Sequence, residues 1–250
     1  MNLKRIISLA VVMAALGAGH SHAAVGYVNL TFVEGENLFG NPLDNEAGNL
    51  LSALVPSPPV GTVVSLWDSA TTSYGLSSTF DAVSGWDVDF ALPPGTGALL
   101  VTPIKAGSWV NTFVGQVLNG DGSVWGGAEP LVPPPPFSGP SGVYLLSSIV
   151  PRTLGGTGDD SAYLWVVGRQ PEEGEGFTDL NAGTQTYNTT TFLGGVWDNG
   201  TPSMGVAGAA FFTLQGVPEP GASGLAAGLA LAGFAVYRRL QSSTRGSRCD

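Results

Sequence analysis

Hydrophobic and polar positions alternate with a period of two at the start of the chain's main body. In GYVNLTFVE, residues 26–34, one side carries Tyr27, Asn29, Thr31 and Val33, and the other Val28, Leu30, Phe32 and Glu34. This is the pattern of a strand whose two faces meet different surroundings. Shorter β-rich runs follow at 61–67, 97–102, 109–118, 142–150, 162–168 and 207–214, with turn residues between them. Residues 50–55 read as a single helical turn, and Pro133 to Pro136 as a stiff polyproline connector between two lobes. The pattern predicts an all-β fold, either a β-sandwich or two related β-rich lobes.

Self-similarity divides the body into repeats spanning 24–120 and 121–217. Ser65-Leu66-Trp67, Tyr74, Phe80 and Trp86-Asp87 in the first are matched to Tyr163-Leu164-Trp165, Tyr187, Phe192 and Trp197-Asp198 in the second. The run from Gly35 is matched to the run from Gly142, and each repeat closes on a Gly- and Ala-containing apolar stretch, 95–101 and 205–213. The matching makes 169–185, with Glu172-Glu173-Gly174-Glu175, an inserted surface loop.

The two ends follow a different pattern. Lys4 and Arg5 precede an apolar run at 6–16, and Ser21-His22-Ala23 places small residues before Ala24. A run this short suits the core of a signal peptide, cut after Ala23 or, alternatively, after Ala24. Near the other end, residues 221–237 carry no charge and are followed by Arg238 and Arg239. As a helix they reach about 25 Å, enough to span with interfacial flanks. The basic residues hold that end in the cytoplasm, which leaves the body outside. The expected architecture therefore adds a signal-peptide helix and a C-terminal transmembrane helix to the β-body.

Pro218-Glu219-Pro220, then the apolar stretch, then the Arg pair, resembles the PEP-CTERM sorting signal of Gram-negative bacteria that make exopolysaccharide. The resemblance covers the last 33 residues. It implies recognition and cleavage near the motif by an exosortase, a transpeptidase-like membrane enzyme. The chemistry of the motif agrees: two prolines fix φ and remove backbone donors, which keeps the segment extended and accessible. The small residues of the stretch after it would let another helix approach closely. The run GENLFGNPL at 35–43, followed by Trp67, is similar to modules of PEP-CTERM proteins that have no assigned activity, a likeness of architecture only.

Composition narrows the chemistry of the body. Glycine (37) and proline (18) punctuate short apolar runs, and hydrophobic residues make up 43% of the chain, too many for a disordered one. Between Ala24 and Val217, three basic residues face seventeen acidic ones, a net charge of −14 that repels nucleic acid. His20 and His22 lie in the leader and Cys249 at the far end, so the body has neither His nor Cys. That excludes a Ser-His-Asp triad, a Cys-His pair, zinc held by His or Cys, and an internal disulfide. No cofactor is expected.

The remaining candidates are carboxylates and aromatics. Asp87 and Asp89 fall on one face of a strand, as paired carboxylates for hydrolysis or calcium would. A solvated face is the simpler account. Asn119-Gly120-Asp121-Gly122-Ser123 resembles part of a calcium loop, but the Glu that would close it is absent, and a hairpin turn is expected. Asp159-Asp160 after a glycine run reads as a loop; no Gly-Lys-Ser/Thr follows. Trp67, Trp86, Trp165 and Trp197 could stack on sugars, while their recurrence in both repeats favours core packing. Three functions follow: an exported, exosortase-sorted surface or matrix protein without catalysis; a carbohydrate-binding module acting on exopolysaccharide; and a carboxylate-based hydrolase.

Overall fold

A computed structural model describes residues 24–127, 130–150, 153–155 and 161–215. The expected leader through Ala23, the expected sorting segment with Pro218, Glu219, Pro220, Arg238 and Arg239, and Asp159-Asp160 lie outside these residues. Ala24 is the first described residue; its N–H donates to Trp125 O at 3.1 Å and its carbonyl accepts from Val117 N at 2.8 Å.

The described body is all-β. Its strands are β1 (Val25–Phe32), β2 (Gly35–Gly40), β3 (Val63–Asp68), β4 (Ser73–Asp81), β5 (Gly85–Trp86), β6 (Gly97–Thr102), β7 (Trp109–Gln116), β8 (Gly142–Ser147), β9 (Gly176–Asn181), β10 (Thr186–Leu193), β11 (Val196–Trp197) and β12 (Ala209–Leu214). Two short helices, α1 (Leu51–Leu54) and α2 (Ala162–Val167), interrupt them. One five-stranded antiparallel sheet runs β2-β6-β3-β4-β5 and another runs β8-β12-β9-β10-β11. Each therefore inserts its last strand between its first and second, and each carries a short helix between those two. β1 and β7 form a separate antiparallel ribbon.

Register fixes which residues correspond. Val64 pairs with Leu100 and Phe177 with Phe212; Trp67 pairs with Tyr74 and Leu180 with Tyr187. Phe80 opposes Trp86 as Phe192 opposes Trp197. Three expectations are corrected here. Residues 162–168 do not form a strand: Ser161 Oγ accepts from Leu164 N, Gly168 closes the turn at φ +79°, and α2 lies between. The segment 169–185 is not one surface loop, because it contains β9, the middle strand of the second sheet. Trp165 sits on α2 and is not the counterpart of Trp67 on β3; that counterpart is Leu180.

Each sheet buries its outer face under a different cover. Val28, Phe32 and Phe113 of the ribbon pack with Phe39, Val64 and Leu100 of the first sheet. Tyr163, Trp165 and Val167 of α2 pack with Phe177, Phe212 and Leu214 of the second. The inner faces meet at Trp67, whose indole donates to Val143 O at 2.8 Å and whose ring lies 4.9 Å from that of Phe211. Along the seam, Gly40 N donates to Ala207 O at 2.9 Å and Ser147 N to Gly95 O at 3.0 Å. Gly40 corresponds to Ser147 and Ala207 to Gly95, so the two bonds are reciprocal, as across the two-fold axis of a dimer.

Candidate functional site

Among the described residues, the carboxylates at Asp87, Asp89 and Asp121 are committed to the fold. Asp87 Oδ1 accepts from Ser78 Oγ and from Thr79 N, both at 2.8 Å. Asp89 turns to α1 instead, accepting from Ser52 N at 2.9 Å and Ser52 Oγ at 2.6 Å. Asp198 repeats the role of Asp87: its Oδ1 accepts from Thr190 Oγ1 at 3.1 Å and Thr191 N at 2.7 Å. The Thr79 amide, with help from Ser78, holds Asp87 below the usual carboxylate range, and the Thr191 amide does the same for Asp198. Asp121 closes a turn by accepting from Ser123 N at 2.9 Å and Ser123 Oγ at 2.6 Å, while Leu118 bridges Val124. Among the described residues, no group of three or more His, Cys, Asp or Glu is placed to hold a metal ion.

Among the described residues, Glu175 is the one buried carboxylate, with no exposed side-chain surface. Arg169 grips it with two bonds, Nη1 to Oε2 at 2.8 Å and Nη2 to Oε1 at 2.6 Å. The amides of Glu172 and Gln215 add bonds at 2.9 and 2.8 Å. Burial pushes its pKa up, but the Arg169 and amide hydrogen bonds outweigh it and hold the group below its ordinary value. This clamp ties the loop before β9 to the residue that leaves β12, three positions before Pro218.

The four tryptophans fare differently. Trp67 is enclosed between the sheets, and Trp86 and Trp165 are buried in the two cores. Trp197 lines an open hollow of about 410 Å³ with Tyr163, Gln170, Pro171, Phe192 and Pro202. Its ring lies 5.3 Å from that of Phe192 and 5.2 Å from that of Tyr163, whose hydroxyl donates to Gly176 O at 2.7 Å. A second hollow of about 310 Å³ adjoins it, lined by Asp179, Asn188, Thr189, Asn199 and Ser203. Thr201 and Pro202 border both hollows. The polar members were not singled out in the sequence. The available signal was the polar run Asp198-Asn199-Gly200-Thr201 directly after a tryptophan.

An aromatic hollow beside a polar one can hold a ligand with one apolar face and hydroxyl-bearing edges. No protein-family model matches the chain, and neither a curated protein nor a solved structure does.

Proposed function

We propose that this chain is an exported cell-surface or extracellular-matrix protein without enzymatic activity, sorted by an exosortase. In this reading the leader directs export and is removed at Ala23. The chain then passes through an inner-membrane intermediate held by residues 221–237 and by Arg238 and Arg239. The exosortase acts at Pro218-Glu219-Pro220 and delivers the body to the cell surface or beyond, where exopolysaccharide surrounds it.

The observation that carries the reading is the order of signals in one chain: leader, body, Pro-Glu-Pro, uncharged stretch, Arg pair. The body is compatible with it. Asp87, Asp89, Asp121, Asp198 and Glu175 are spent on turns and on a clamp, which suits a scaffold more than a hydrolase. Cleavage after Ala23 also keeps both backbone bonds of Ala24.

Changing Glu219→Ala separates recognition from anchoring. The uncharged stretch and its basic stop remain, so membrane insertion survives. The carboxylate of the recognition segment is lost, so processing fails. Blots of membrane fractions, with and without the cognate exosortase, should show trimming of the wild type only when the enzyme is present and none of the variant. Equal trimming of both, or of neither, makes the tail a simple anchor.

A further inference from the structure

The two sheets provide an internal comparison for Trp197. Trp86 and Trp197 hold corresponding positions and pack on corresponding phenylalanines in the same way, at 5.4 Å and 66° in one case and 5.3 Å and 64° in the other. Trp86 is 8% exposed and its indole donates to Val55 O at 2.9 Å. Trp197 is only partly buried and faces a hollow, and its indole N–H has no acceptor among the described residues. Packing against the sheet accounts for Trp86 completely and for Trp197 only in part.

The neighbouring positions change in concert. Leu66 and Asp179 correspond, each lying two residues after the matched pair Val64 and Phe177. Leu66 packs on the first core, beneath the ribbon. Among the described residues the second sheet has no such ribbon, and the same position carries a carboxylate that lines the second hollow. Asp179 faces Asn188 across the β9–β10 pair. Neither side chain makes a hydrogen bond or ion pair with the described protein. Two uncommitted polar groups therefore line one hollow, of about 310 Å³, and an uncommitted indole lines the other, of about 410 Å³, and the two share Thr201 and Pro202.

We propose that this groove binds a neutral oligosaccharide of hexopyranose units. The Trp197 and Phe192 rings take the C–H face of one sugar and the indole N–H bonds a hydroxyl at its edge, while Asp179 and Asn188, about four residues away along β10, bond hydroxyls of neighbouring units in the second hollow. A pyranose presents this combination of an apolar face and polar edges, and aromatic groups with a polar handle suit it. Charge narrows the class further: Asp179 and the acidic body disfavour polyanionic polymers. The inference goes beyond sorting and does not require that the tail be processed.

Isothermal titration of the purified full-length chain with cellohexaose, hexa-N-acetylchitohexaose and maltohexaose tests it, with polygalacturonate as the polyanionic probe. Saturable binding of at least one neutral probe is expected, with weaker or no binding of polygalacturonate. Trp197→Ala should weaken that binding by about tenfold or more, a loss of about 1.4 kcal/mol. Asn188→Ala should do the same, and because Asn188 is exposed and unpartnered its thermal melt should match the wild type. Trp86→Phe, which alters only the corresponding packed tryptophan, should leave affinity unchanged. The proposal is overturned if no neutral probe binds, if Asn188→Ala binds as well as wild type, or if polygalacturonate binds tightest.

Discussion

Glu175 and Arg169 form a charged pair in an otherwise sparsely charged fold, since charged residues are 11% of the chain. Their pairing is bidentate, and backbone amides occupy the remaining acceptor sites, the condition under which a buried pair is tolerated. Removing one partner leaves the other uncompensated, so Glu175→Gln should cost about 3 kcal/mol at neutral pH. The acid side adds a second signature. Glu175 has a lowered folded pKa, so its contribution is complete above the ordinary value of 4.5 and disappears as pH falls through the folded one. Urea denaturation across this range should show the wild type losing stability on acidification and Glu175→Gln losing less. Identical slopes would mean the pair does not hold β12. In the sequence, Glu175 looked like one member of an exposed acidic run. The available hint was Arg169, one of three basic residues in the body. Asp87 and Asp198 were more legible, because each follows a matched tryptophan; their turn-closing role depends on register, which spacing alone does not set.

At the scale of elements, six of the twelve strands, β1, β3, β6, β7, β8 and β12, overlap the β-rich runs of the sequence, and the helical turn at α1 falls within 50–55; β2, β4, β5, β9, β10 and β11 were not expected. Two of the departures have clear physical causes. Ala162–Val167 is rich in aromatic and β-branched residues, which favour strands. The Ser161 cap and the left-handed Gly168 override that preference, and burial of Tyr163 and Trp165 on the second sheet completes the helix. β9 was hidden because its neighbour is the acidic run. The seam between sheets depends on small residues in β6 and β12. A Cβ at Gly97 would stand 2.8 Å from Leu145 Cγ and 3.0 Å from Ala209 Cβ, too close without a shift of the opposite sheet. Gly97→Ala should therefore destabilise by about 2 kcal/mol. Gly126→Ala, where nothing lies within 4 Å, should not. Thermal melts of the two variants check this, and equal midpoints would show that the sheets do not pack through Gly97.

For the molecule as a whole, the sequence reading of an all-β fold agrees with the structure, and the strand orders of the two sheets coincide. The detailed matching misled at Trp165, because two x-Leu-Trp triplets invite alignment although one belongs to a strand and the other to a helix. The hollow at Trp197 was not legible: it opens where the second sheet has no counterpart of the β1–β7 ribbon among the described residues, a long-range difference that local pattern does not carry. The ends of the chain are read from consecutive residues alone, and they lie outside the described residues. Under the proposed function, the leader, Pro-Glu-Pro, uncharged stretch and Arg pair direct export and sorting. Intact-mass analysis of the protein recovered from the surface and medium of a host with the cognate exosortase tests this proposal. The recovered chain should begin at Ala24 and end at or near Pro218-Glu219-Pro220. A mature chain that still carries the leader, or one that retains residues 221–250, would contradict it.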